Sequence, residues 1–153
     1  MTKDKIKSKG SLTIEVKDKD GKEKYKKEKI QNLVTTIGKA EIAKLFLTDQ
    51  TGSAIAFDFI AIGEGTTAAA ITDTTLETES MREAGTGTIT TTTVTDDTST
   101  LVGVFNIVST LAITEYGLLN AGTAGTLFSR TIGAVKNVVN GDTITVTWNI
   151  AHS

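Results

Sequence analysis

The chain has 153 residues and a formal charge of −2, with no cysteine, no proline and a single histidine, His152. These counts exclude disulfides and thiolate metal sites, and any nucleophile–His–acid triad would have to use a residue next to the end of the sequence. The length suits one domain, no apolar run approaches the ~20 residues of a membrane helix, and MTKDKIKSKG lacks the apolar core of a secretory leader.

Charge is divided unevenly. Residues 1–29 hold 11 Lys against 6 acids, whereas residues 30–153 hold 5 basic groups against 12 acids. Residues 1–10, with Lys3, Lys5, Lys7 and Lys9 against Asp4, have too few apolar groups to fold alone and read as a flexible basic arm. These four lysines are the candidate assembly residues, suited to an acidic protein neighbour. The leader has no Arg, the residue favoured for bidentate phosphate contacts, and acids interleave its lysines, so direct nucleic-acid binding is not expected.

After the arm, residues 11–153 read as one β-rich domain. SLTIEVKDKDGKEKYKKEKIQNLV predicts a hairpin: Leu12, Ile14 and Val16 alternate, Asp20-Gly21 marks the turn, and Tyr25 begins the return strand. Residues 35–48 carry the one clear helical period, through Ile37, Ile42, Leu45 and Phe46, with Thr35 or Thr36 available as N-cap. The loop DQTGSA leads to a strand over 57–62. The spacing of Thr74 and Glu77 matches a capping box, which predicts one helical turn over 72–79. Strands follow over 86–95, 99–109, 112–119, 126–134 and 143–151, with turns at Asp96-Asp97, 120–125 and 140–142. In the last strand Ile144, Val146, Trp148 and Ile150 share one face, and Thr143, Thr145, Thr147 and Asn149 the other. The expected fold is mainly β: an antiparallel β-sandwich or barrel-like domain with one short α-helix.

Three stretches invite a chemical reading. Gly63-Glu64-Gly65-Thr66-Thr67 follows an apolar run as a phosphate loop would. It lacks the lysine of a Walker loop and the third glycine of a dinucleotide fingerprint, and Glu64 would repel a phosphate, so a tight turn is expected. Asp73, Glu77, Glu79 and Glu83 form an acidic run whose spacing does not match an EF-hand. Trp148 alternates with core residues instead of standing out as a sugar platform. No catalytic residue, metal or cofactor is assigned, and no enzyme is expected.

Three blocks carry a resemblance. They are GSLTI through KIQNLVT (residues 10–35), FIAIGEGTTAAAITDTTLETE (59–79) and ITEYGLLNAGTAGTLFSRTIGAVKNVVNGDTITVTWNI (113–150). Together, and in this order, they resemble a family of small virion structural proteins of tailed bacteriophages and prophages; the Lys-rich hairpin 17–29 departs from its pattern. The resemblance implies a structural component of the virion, made in the host cytoplasm. It is read as a capsid decoration (cement) protein that binds the head surface, with the major capsid protein as partner. A homo-oligomer, with a trimer favoured, is expected. The alternatives are a tail, baseplate or fibre protein and, second, a carbohydrate-binding adhesin module.

Overall fold

The computed structural model describes residues 7–45 and 56–152. They form two five-stranded antiparallel sheets packed face to face, with one helix. Lys3, Lys5, Phe46 and the loop DQTGSA lie outside the described residues. Among the described residues no helix is long and apolar enough to cross a membrane.

The first sheet begins with the hairpin of β1 (Ser8–Lys17) and β2 (Glu23–Gln31). Its turn is built as the residues suggest. The Asp18 carboxylate accepts the N–H groups of Asp20 and Lys22 at 3.0 and 2.9 Å, and Gly21 takes a φ of +79° that suits glycine. Along β1 the side chains alternate, and Leu12, Ile14 and Val16 are fully buried. The expected arm of residues 1–10 overlaps the first strand. Residues 8–10 belong to β1 and pair with residues 150–152, so Lys9 is an exposed strand residue and Lys7 stands just before the strand. Strand pairing uses backbone groups, which apolar side-chain counts do not register.

A two-residue strand, β3 (Leu33–Val34), leads into α1 (Thr36–Leu45). Thr35 is the N-cap: its Oγ1 accepts the Gly38 N–H at 3.0 Å and donates to the Leu127 carbonyl at 2.6 Å. Gly38 lets the helix lie against the sheet, because a Cβ there would sit 2.7 Å from Phe128 Cα. The remaining strands are β4 (Phe59–Gly63), β5 (Glu79–Ala84), β6 (Thr86–Thr90), β7 (Thr98–Asn106), β8 (Leu111–Leu119), β9 (Leu127–Val138) and β10 (Thr143–His152). The orders are β2-β1-β10-β7-β6 and β3-β9-β8-β4-β5. The chain passes from β5 in the second sheet to β6 in the first at Gly85, whose N–H donates to Asp58 O at 2.7 Å.

Residues from both inner faces fill the core. Leu12, Ile14, Phe105, Ile144, Val146 and Trp148 meet Ile60, Ile62, Ile113, Tyr116, Leu118 and Phe128. A second, smaller apolar cluster of Ala61, Leu76, Leu119 and Leu127 lies with Ile37 and Phe59. Ala61 alternates with the inward Ile60 and Ile62, so this cluster occupies the other face of the second sheet. That second covering layer explains why Ile60 through Gly63 are all buried.

Candidate functional site

The covering layer contains the residues of the second and third sequence blocks. Register places Arg82, Ala61, Gly117, Arg130 and Leu33 in one row across β5, β4, β8, β9 and β3. Ala61 and Gly117 make a shallow trough between two arginines, and Leu76 drops into it, 6% exposed. A Cβ at Gly117 would collide with Leu76 Cδ1, so the glycine is fixed by packing.

Residues 64–78 thus form a strap over the sheet, held by a buried carboxylate. Glu115 is 0% exposed and accepts the N–H groups of Gly65 at 3.1 Å, Glu77 at 3.0 Å and Thr78 at 2.6 Å. Arg130, 3% exposed, donates to Glu115 from Nε at 3.0 Å and to Asp73 from Nη1 at 3.0 Å. Its Nη2 lies 3.5 Å from Glu77 Oε2. Gly65 gives way to this group, since a Cβ there would be 2.6 Å from Glu77 Cβ and 2.7 Å from Glu115 Cδ.

The Gly63–Thr67 stretch is therefore a turn whose donors are already used. Glu64 N–H donates to Thr78 O, Gly65 N–H to Glu115 and Thr67 N–H to Glu77. The Glu64 carboxylate accepts the Ala112 N–H at 2.8 Å, and Thr114 Oγ1 donates to Gly65 O at 2.7 Å. A phosphate would have to displace these partners one by one.

The helical turn expected over 72–79 is absent. Glu77 turns across the strap and accepts both the N–H and the hydroxyl of Thr67, at 2.8 and 2.7 Å, instead of capping a helix. Glu79 begins β5, a strand that its charged sequence ESMREA concealed. The acidic run is distributed: Asp73 and Glu77 face Arg130, and Glu79 pairs with Arg82 at 2.6 Å. Among the described residues no group of three or more His, Cys, Asp or Glu is placed to hold a metal ion. Arg82 also donates from Nη1 to Ala121 O and Ala124 O, which closes the NAGTAG loop on itself. His152 is exposed, with Nδ1 3.0 Å from Ser8 Oγ at the paired ends of β1 and β10.

The hydroxyl and N–H of Thr67 hold the Glu77 carboxyl below its ordinary range, against burial and with help from Arg130. Asp97 is lowered more strongly by the N–H groups of Val94, Thr92 and Thr93, which fix the β6–β7 loop. Groups with depressed folded values stabilise fully above their unfolded pKa, about 4, and lose that contribution as pH falls through the lower folded value. Thermal melts should therefore be level from pH 7 to 5 and decline below about pH 4. Glu77→Gln should flatten part of that decline. An identical acid limb in the variant would show that Glu77 does not tie the strap.

The basic leader is only partly consumed inside the molecule. Lys24 pairs with the buried Asp142 at 2.5 Å, where Lys24 and the Val139 N–H outweigh the opposing effect of burial and hold that carboxyl low. Lys17 and Lys27 both approach Glu15, at 3.6 and 3.7 Å. Glu28 pairs with the buried Lys136 of β9, and Tyr25 exchanges two hydrogen bonds with the Asn137 backbone, so β2 is fastened to the second sheet. Lys7, Lys9, Lys19, Lys22, Lys26 and Lys29 have no carboxylate partner among the described residues, and all six are exposed.

No protein-family model matches the chain, and no curated protein or solved structure matches it significantly.

Proposed function

We propose that the chain is a non-enzymatic structural component of a tailed-phage virion, and that it decorates the head by docking its basic edge on an acidic surface of the major capsid protein. The observation that carries this reading is the set of six exposed lysines with no carboxylate partner among the described residues, spread along the β1–β2 hairpin from the start of β1 through its turn to β2, on a chain whose other residues are net acidic. Such an edge complements an acidic neighbour, and many copies in a lattice add avidity to a weak single contact. The blocks behind the resemblance support a structural role as well. Gly65, Asp73, Glu77, Glu115 and Arg130 are engaged in holding the strap to the sheet. Trp148, 1% exposed, is not presented for sugar stacking, which removes the main aromatic of the adhesin alternative.

Addition of the protein to particles that lack it tests the reading. Reversing Lys19, Lys22, Lys26 and Lys29 to Glu should leave the fold intact, because all four are exposed, and should lower occupancy roughly tenfold or more at low salt. Removal of residues 1–7 should lower it less and spare β1. Raised salt should weaken wild-type binding, since exposed charge pairs are screened beyond ~8 Å at physiological ionic strength. Equal occupancy of parent and charge-reversed protein at both salt levels would remove the electrostatic docking. Binding confined to tails would move the same protein to the tail, baseplate or fibre.

A further inference from the structure

Three of the four sheet edges carry features that discourage pairing with another chain. β2 presents Glu23, Lys24, Lys26, Lys27, Glu28 and Lys29; β5 presents Glu79, Arg82 and Glu83; β3 is two residues long and runs into α1. β6 has none of these. From Gly85 to Thr95 the chain GTGTITTTTVT has neither charge nor proline. All five β6 residues are exposed, and among the described residues no strand pairs with its outer edge.

The two sides of β6 differ. Gly87 and Ile89 lie on the face of Leu101, the register partner of Gly87 and a core residue. On that face an apolar pocket of about 370 Å³ opens among the described residues, its lining including Gly87, Ile89, Leu101, Leu118, Trp148 and Ile150. Ile89 stands at its mouth 62% exposed, while a side chain at Gly87 would find, among the described residues, only Leu101 Cδ1 nearby, at 3.8 Å. One position is overfilled toward solvent and its neighbour two residues away is empty.

We propose that β6 pairs antiparallel with β6 of a second copy of this chain about a two-fold axis at Thr88. In that register Thr88 faces Thr88, Thr86 faces Thr90, and Gly87 faces Ile89 of the other copy. Each exposed Ile89 then covers the empty position beside the other copy's pocket, and Thr–Thr pairs lie on the opposite face. The neutral edge brings no like charges together. A second β6 supplies both halves of this match, a large residue opposite glycine and glycine opposite the large residue. The contact is isologous and closes at two copies, joining two five-stranded sheets into one of ten; it gives a dimer in place of a trimer. It holds whether or not the chain belongs to a virion.

Sedimentation velocity on the full chain over a range of concentrations tests this. The wild type should show a species of twice the chain mass. Thr88→Lys should set two ammonium groups face to face at the axis and raise the dimer Kd about tenfold or more, and Thr88→Glu should do the same with two carboxylates. An equimolar mixture of the two variants should dimerise again, because Lys then faces Glu. Misfolded chains would not be restored by mixing, so recovery separates loss of the contact from loss of the fold. A wild type that stays monomeric at its highest soluble concentration, a trimer, an unchanged Kd in Thr88→Lys, or a mixture as weak as its parts would each overturn the proposal.

Discussion

Glu115→Ala is expected to lower stability by about 3–5 kcal/mol, the usual cost of removing one partner of a buried ion pair. The carboxylate is fully buried and serves four donors: three backbone N–H groups of the strap and Arg130 Nε. Alanine leaves those N–H groups without an acceptor; the Gly65 bond is buried and those of Glu77 and Thr78 are partly so, and each buried unsatisfied group costs on the order of 1–3 kcal/mol. Arg130 would keep Asp73 at 3.0 Å and Glu77 at 3.5 Å, so the guanidinium is not stranded and the total stays below a simple sum. Glu115→Gln should fall between, because its carboxamide offers one acceptor oxygen and turns an N–H₂ group toward donors. Urea denaturation checks both: the midpoint should shift with the slope nearly unchanged if the sandwich still unfolds as one unit. A Glu115→Ala midpoint within error of the parent would mean that Leu76 and the apolar cluster hold the strap without the ion pairs.

The elements legible in the sequence are those whose local chemistry decides them. Asp20-Gly21 and Asn140-Gly141-Asp142 turn the chain where expected, with Gly21 and Gly141 at positive φ. The Ile144, Val146 and Trp148 side of β10 is buried because a strand with one covered face must alternate. Thr35 caps α1 because a hydroxyl next to a helical period has few better uses. What stayed hidden depends on distant residues. β5 reads as a polar segment until Arg82 is seen closing the 120–125 loop and pairing with Glu79. The Thr74–Glu77 spacing looks like a helix start, yet Thr67, ten residues earlier, takes Glu77. Glu115 stands in a strand of otherwise ordinary pattern, and its burial follows from strap residues 37 to 50 positions before it in the chain. Two signals for the site were present in the sequence. Gly63 and Gly65 near an acidic run, and a lone Glu followed two residues later by Gly117, both mark places where backbone comes close to a side chain.

Trp148→Ala should be as damaging as Glu115→Ala for a different reason, costing about 3–5 kcal/mol. Trp148 is 1% exposed and sits in the middle of β10, with Leu12 opposite on β1 and Leu101 opposite on β7. It also lines the 370 Å³ pocket, so truncation enlarges a space that the described residues leave open. Neighbours on three antiparallel strands are held by their ladders and cannot collapse far into the gap, which places the cost toward the upper part of the range. Trp148→Phe should be much milder, under about 2 kcal/mol. The indole Nε1 has no acceptor among the described residues, and phenylalanine removes that buried donor, whose isolation costs about 1–3 kcal/mol, while keeping most of the apolar ring. Thermal melts at equal protein concentration separate the cases, with alanine lowering the midpoint by roughly ten degrees and phenylalanine by a few. Equal concentrations matter because the pocket borders β6, and self-association would add its own stability to each melt. If alanine melts like the parent, the β10 centre is not the core of the sandwich, and the tryptophan must instead serve the surface that opens at β6.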